Sequence, residues 1–185
     1  LALDAAGVSG ANSIGGVFYF TNAYDVSVSG WDLVATYPID WESAGSTVIA
    51  VTLGNSEKEF DSDPSAYLNE EGRYDVINFD PNMRMVTSLT HSVGDYKFMT
   101  RWSYWGEASN FNSGTVEDFD PINMIDMELS YFADELVLAF GVRNLFDSYP
   151  SKDTVGDACC GRIYNSGSGM SWNGGYWYLK AKRDF

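Results

Sequence analysis

Apolar and polar side chains alternate strictly in one short stretch, and this alternation constrains the fold more than any other feature of the sequence. The odd positions from Ile125 to Tyr131 are apolar, and the even positions from Asp126 to Ser130 are polar. In an extended chain successive side chains point to opposite faces, so the two kinds of residue separate onto two faces. Residues 96–104 repeat the pattern. The sequence therefore predicts an antiparallel all-β fold rather than a helical one.

The same period predicts about eight strands along the chain. They fall at residues 15–22, 27–40, 46–55, 82–92, 95–106, 122–132, 135–146 and 173–185. The links alternate between short turns at 41–45, 92–95 and 133–134 and long segments at 56–81, 107–121 and 147–172. A meander with short turns on one rim and long loops on the other is typical of an outer-membrane β-barrel.

Composition excludes several classes of protein. The chain has 185 residues with 26 acidic and 11 basic side chains, a net charge of −15, and 16% aromatic residues. This aromatic content argues against disorder, and the acidic balance argues against nucleic-acid binding. The longest apolar run, residues 136–142, is far too short for a membrane-spanning helix. The chain does not begin with Met, so we expect it to be processed or a piece of a longer protein.

The alternation does not by itself decide whether the apolar face of the strands packs in a protein core or contacts lipid. Period-2 alternation alone also fits a soluble β-sandwich. Tyr and Trp fall toward strand ends, as at Trp31, Tyr37, Tyr96 and Tyr104, which favours the interfacial aromatic girdles of a membrane barrel. In that barrel, the predicted lipid-facing residues are Ile125, Met127, Leu129, Leu136, Leu138, Phe140 and Val142. The predicted lumen-facing residues are Lys97, Arg101, Asp126, Glu128, Arg143, Lys180 and Lys182, with opposite charges meeting across strands.

Three stretches of the chain resemble one protein family. Residues 141–147 read Gly-Val-Arg-Asn-Leu-Phe-Asp, residues 177–185 end on Phe185, and residues 17–35 begin Val-Phe-Tyr-Phe-Thr-Asn-Ala. They are similar to the penultimate-strand exit, the C-terminal strand and a late hairpin of TonB-dependent outer-membrane receptors. Arg183 departs from the pattern because an apolar residue is more usual at that position.

The resemblance implies that residues 1–185 are the C-terminal part of the barrel domain. About eight strands of a transmembrane barrel of about 22 would lie here, with the plug domain absent from this chain. A self-contained eight-stranded barrel of the OmpA type stays an alternative, and a soluble β-sandwich binding module is a less favoured one.

The resemblance also implies a function in the outer membrane of a Gram-negative bacterium. The protein would take up a scarce substrate, such as a siderophore, cobalamin or an oligosaccharide, in a TonB-dependent manner. Its partners would be the plug and earlier strands of the same receptor, the TonB complex, outer-membrane lipid and the small-molecule or oligosaccharide substrate. The interpretation includes no enzymatic activity, no cofactor and no nucleic acid.

Candidate site residues come from the predicted long loops. Aromatic rings stack on ligands and amides hydrogen-bond to them, so the candidate substrate-facing residues are Trp105, Asn110, Phe111, Trp172 and Asn173. Phe185 is the candidate assembly signal, since a terminal aromatic residue at the barrel rim offers an anchor for insertion.

The histidine, the two cysteines and the acidic pairs are not expected to form a catalytic or metal site. His91, the single histidine, is expected to be a polar residue near the short-turn rim, with no triad or metal motif around it. Cys159 and Cys160 lie in a predicted long loop and either form a vicinal disulfide or stay reduced. The acidic pairs are interpreted as solvated loop charge rather than Ca²⁺ ligands: Asp61 with Asp63, Glu70 with Glu71, and Asp118 with Asp120.

Overall fold

The fold is seen in a computed structural model of the chain, which describes residues 5–10 and 22–183, the side chains of residues 158 and 159 excepted. Nine β-strands lie within these residues. They are β1 (Val26–Asp40), β2 (Ser46–Phe60), β3 (Met83–Val93), β4 (Tyr96–Trp105), β5 (Ala108–Asn112), β6 (Thr115–Phe119), β7 (Ile122–Ala133), β8 (Leu136–Arg143) and β9 (Tyr176–Arg183). Between them lie a 3₁₀ helix (Glu42–Ala44) and the helices α1 (Glu70–Asn78) and α2 (Thr154–Cys160).

The prediction of an all-β antiparallel fold is confirmed. Seven of the predicted strands coincide with β1–β4 and β7–β9. The predicted strand 15–22 lies almost wholly outside the described residues, as does Phe185. The predicted long loops differ from expectation, because they contain α1, the β5–β6 hairpin and α2.

Seven strands form one antiparallel sheet in the order β1-β2-β3-β4-β7-β8-β9, and β5 pairs only with β6. Each strand of the large sheet lies beside its neighbours along the chain, with the β5–β6 hairpin skipped. Within the described residues the sheet is open: β1 pairs with β2 alone and β9 with β8 alone. The seven strands therefore do not close into a barrel by themselves. The eight-stranded OmpA-type alternative also includes the predicted strand 15–22, which lies almost wholly outside the described residues.

The links sort onto two rims, as predicted. Short turns at 41–45, 94–95 and 134–135 join strands on one side, here called the turn rim. Long segments at 61–82, 106–121 and 144–175 lie on the other side, the loop rim. A meander requires this separation, because every second link returns to the same rim.

One face of the sheet, the apolar face, is exposed. A row of directly paired residues crosses it from β4 to β9, namely Phe98, Leu129, Phe140 and Leu179. Their exposed fractions are 38%, 48%, 50% and 71%. A second row crosses β1 to β4 through Leu33, Leu53, Met85 and Tyr104. The residues predicted to face lipid on β7 and β8 share this face.

The opposite, polar face holds the buried carboxylate of Asp126. Asp126 is 1% exposed, and its partners lie on the neighbouring strands. Among the described residues, buried polar side chains outnumber buried apolar ones. The polar set is Thr47, Ser103, Asn110, Asp126, Ser130, Asn144, Asp153 and Asn165, and the apolar set is Phe119, Ile122, Ala139 and Met170. This distribution is the reverse of that in a soluble β-sheet protein, whose apolar faces pack inward.

The three long segments pack on one another above the sheet. The Tyr74 hydroxyl of α1 lies 2.9 Å from Ser109 Oγ of β5. Glu117 of β6 accepts a hydrogen bond of 2.9 Å from the backbone N–H of Thr154, at the start of α2. The loop rim is therefore one connected structure. None of the described helices is both long and apolar enough to span a membrane.

Candidate functional site

The most concentrated chemistry on the polar face is an arginine pair that shares one carboxylate. Asp126 lies directly opposite Arg101, and Arg101 Nε donates to Asp126 Oδ2 at 3.1 Å. Arg143 donates to the same oxygen at 2.9 Å, and the backbone N–H of Asn144 donates to Oδ1 at 2.9 Å. Both carboxylate oxygens are thus engaged, which a buried carboxylate requires. The predicted meeting of opposite charges across strands is confirmed here.

A second polar cluster lies beside the first on the same face. Glu128 Oε2 accepts hydrogen bonds from the Tyr178 hydroxyl at 2.6 Å and from Lys180 Nζ at 2.9 Å. The Tyr178 ring lies over Gly141, where any Cβ would collide with it. The same ring contacts Arg143, whose guanidinium carbon lies 5.8 Å from the ring centroid. Tyr178 therefore separates the two clusters while contacting both.

A cavity of about 430 Å³ lies where the arginine pair meets the loop rim. Arg101, Asp126 and Arg143 line it from the sheet, and Trp105, Met170 and Tyr176 line it from the strand ends and the third long segment. We call this cavity the arginine pocket. Charged and polar side chains lie beside aromatic and apolar ones in this lining, a composition common in small-molecule sites.

Asp147, in the third long segment, lies against Gly174, which lines this pocket. Its carboxylate accepts a hydrogen bond of 2.7 Å from the backbone N–H of Gly175. A hydrogen bond with Asp147 also raises the pKa of the Tyr149 hydroxyl above its usual value. Asp147 is thus committed to holding the segment before β9 in place.

The structure places the five predicted substrate-facing residues at three different locations. Trp105 lines the arginine pocket, with its indole against Gly169. Asn110 is buried in β5, and Phe111 packs edge-on against the Tyr74 ring of α1. Trp172 and Asn173 are exposed in the third long segment. One of the five therefore lies in the cavity, and the others do not share a site.

The remaining predicted residues have local structural partners. His91 Nδ1 and Thr47 Oγ1 are 2.9 Å apart near the turn rim, and Trp41 Nε1 donates to Thr47 Oγ1 at 2.8 Å. Cys160 is disulfide-bonded, and the side chain of Cys159 lies outside the described set.

The acidic pairs are dispersed. Asp118 and Asp120 line a second cavity of about 450 Å³ with Asp80 and Glu107. The described residues contain no group of three or more His, Cys, Asp or Glu side chains arranged to hold a metal ion.

Sequence reasoning missed three contributors to the arginine pocket. Asn144 belongs to the quoted 141–147 stretch, but its backbone φ of 50° and its N–H bond to Asp126 depend on the tertiary fold. Met170 reaches the pocket from the third long segment, and Tyr176 reaches it from the first position of β9, where it pairs with Arg143. No periodicity in the sequence reports the position of Met170.

The chain matches no protein-family model, and the comparison with curated proteins gave no match.

Proposed function

We propose that the chain is a membrane-spanning section of an outer-membrane receptor barrel of the TonB-dependent type, which binds a scarce small substrate and admits it to the periplasm. In this proposal the apolar face meets lipid and the polar face lines the lumen. The plug and the earlier strands complete the receptor, and the TonB complex supplies the energy for uptake.

The observation that carries the proposal is the orientation of the sheet's two faces. Leu129, Phe140 and Leu179 remain roughly half exposed or more, while Asp126 is almost fully buried on the other side. Exposing such a continuous apolar surface to water would be unfavourable at about 25 cal/mol per Å². Lipid removes that cost, whereas a soluble β-sandwich would have to cover the same face.

The aromatic residues of the apolar face support the same orientation. Tyr96 and Tyr131 pack together at 5.0 Å between ring centroids near the turn rim. Trp31, Trp102 and Trp177 lie toward the loop rim on the same face. Leucine, isoleucine and valine lie between these two belts, as in a barrel whose amphipathic rings mark the two membrane interfaces.

The lengths of the first five strands of the large sheet and its open edges also fit a larger barrel. β1 and β2 have 15 residues each, β3 has 11, β4 has 10 and β7 has 12. A tilted strand crosses a bilayer with about 9–11 residues. Because unpaired backbone groups in lipid cost several kcal/mol each, the edges at β1 and β9 require further strands.

The proposal is tested by measuring which face contacts lipid. A fluorescent amino acid is incorporated at position 129 or, as the matched control, at the adjacent position 130, which lies on the polar face. Brominated lipids quench fluorophores that touch the acyl chains. We expect strong quenching at position 129 and little at position 130, in protein that stays in the outer-membrane fraction until detergent is added.

Two results would contradict the proposal. Release of the protein without detergent would favour a soluble β-sandwich. Stronger quenching at position 130 than at 129 would mean that the assigned faces are reversed, because a one-residue shift moves every side chain to the other side.

A further inference from the structure

We propose that the arginine pocket binds the carboxylate of a small organic anion. This inference rests on the proposed function, because it names the class of substrate that the receptor would take. It comes from the charges and hydrogen-bond donors of the pocket itself.

The two arginines of the pocket have more N–H donors than the described residues have acceptors for them. Each guanidinium carries five N–H donors. Arg101 donates to Asp126 through two nitrogens and Arg143 through one, and Asp126 is the acceptor of both arginines among the described residues. Most of their donors therefore have no protein acceptor there. Both side chains are also partly exposed, at 36% and 28%, so a ligand can reach them.

The charges of the pocket are unbalanced in the same direction. Two guanidinium groups face a single carboxylate, that of Asp126, which leaves one positive charge in a chain whose net charge is −15. The adjacent carboxylate of Glu128 is already paired with Lys180, and Asp147 is held by the backbone of Gly175. No further acid lines the described part of the pocket. A bound anion would restore the balance.

The apolar side of the pocket indicates the rest of the ligand. Trp105, Met170 and Tyr176 offer two aromatic surfaces and a thioether beside the arginines, with Tyr176 directly paired with Arg143. A volume of about 430 Å³ accommodates a small organic molecule rather than a bare ion. A guanidinium fork matches the two oxygens of a carboxylate, and an adjoining planar body can pack on the rings.

The second cavity of the loop rim has the opposite character. Asp80, Glu107, Asp118 and Asp120 line it, so it would repel the same ligand. Of these two cavities, the arginine pocket is the one whose charge suits an anion.

The first experiment compares a carboxylate with its neutral amide. The probes are 2-naphthoate and 2-naphthamide, which share one planar body, and inorganic phosphate serves as an anion without that body. Binding to the intact protein in detergent is followed by saturation-transfer NMR. We expect 2-naphthoate to bind about tenfold or more tightly than the amide, as a charge-assisted hydrogen-bonded pair implies, and not to be displaced by equimolar phosphate.

Three variants then locate the binding. Arg143→Gln leaves the Arg101 to Asp126 pair intact and should weaken 2-naphthoate binding about tenfold. Lys97→Gln removes one positive charge from the same face outside the pocket, and should change affinity less than about twofold. Asp126→Asn keeps the side-chain shape but removes the competing carboxylate, so it should strengthen binding. A purely structural role for Asp126 predicts the opposite sign.

Several outcomes would overturn the inference: equal affinity for acid and amide, displacement by equimolar phosphate, or an equal effect of Lys97→Gln and Arg143→Gln. Weaker binding by an Asp126→Asn variant with wild-type thermal unfolding would do so too. If that variant does not fold, the acid–amide comparison and Arg143→Gln decide. The membrane fractionation of the wild-type protein is independent of these results, so failure here leaves the proposed function standing.

Discussion

Gly45 illustrates how single residues fix the turn rim. It follows the 3₁₀ helix with a φ of 94°, and a Cβ at this position would lie 2.1 Å from the carbonyl oxygen of Ser92. Both the backbone angle and the neighbouring strand therefore require glycine. Gly94, in the next turn along the rim, has a φ of 53° but open space around it.

We predict that Gly45→Ala destabilises the protein more than Gly94→Ala. The first substitution adds a collision to an unfavourable φ and should cost about 2 kcal/mol, whereas the second should cost about 1 kcal/mol or less. Urea unfolding in detergent, followed by tryptophan fluorescence, measures both. Equal costs would mean that the β1–β2 turn moves away from Ser92 without penalty.

At the scale of elements, α2 depends on the buried carboxylate before it. Asp153 is fully buried, caps α2 by accepting the N–H of Gly156, and pairs with the Arg162 guanidinium at 2.6 Å. A carboxylate with these partners holds both ends of the segment together, since Arg162 lies just beyond the helix. Asp157, within α2, is exposed.

Asp153→Ala should therefore loosen the third long segment without unfolding the sheet. We expect the amides of residues 152–165 to exchange hydrogen about tenfold faster or more, because the local opening free energy falls with the lost cap and ion pair. Asp157→Ala is the matched control and should leave exchange nearly unchanged. Hydrogen exchange measured by mass spectrometry separates this segment from β7 and β8. Faster exchange throughout the sheet would show instead that Asp153 supports the whole fold.

The strands could be predicted from the sequence, and the loop elements could have been found from weaker signals. Alternation identified β7 because apolar and polar side chains separate onto its two faces over residues 125–131, within a strand of 12 residues. The β5–β6 hairpin turns at Ser113 and Gly114, a two-residue connection with both φ values positive. Asn69 caps α1 ahead of two acidic residues, which is a helix-start signal. These signals are local and short, and the overall composition of the long segments predicts loops instead.

The arginine pocket shows where sequence reasoning ends. Arg101, Asp126 and Arg143 were assigned to one face by alternation alone, and the structure confirms that they meet. The pocket is completed by Met170, whose approach depends on how the third segment returns over the sheet, and by Tyr176 at the start of β9. Trp105 lies near the end of the predicted strand 95–106, and it lines the pocket from the last position of β4.

At the scale of the whole molecule, the proposed function gives the final strand a role in membrane assembly. β9 is the last strand of the open sheet and extends to Arg183, two residues before Phe185. We predict that deleting Phe185 lowers the amount of folded protein in the outer membrane while leaving the affinity of the inserted protein for 2-naphthoate unchanged. Phe185→Tyr keeps a terminal ring and should retain near-normal abundance. Heat-modifiability on gels measures the folded fraction, and normal abundance with weakened binding would contradict an assembly role.

The order of the strands also determines how such a sheet can be built. Every partner in the large sheet is the next strand along the chain, apart from the step over β5 and β6. Hairpins can therefore form one after another. Each closes its loop at a small entropic cost, because no strand has to pair with a distant part of the chain. Each partly folded intermediate nevertheless has two edge strands with unpaired backbone groups. These groups can pair with a wrong strand as readily as with the right one. Fast folding and protection from misassembly therefore have different requirements. The second requires that the exposed strand edges be covered until all strands of the sheet have paired.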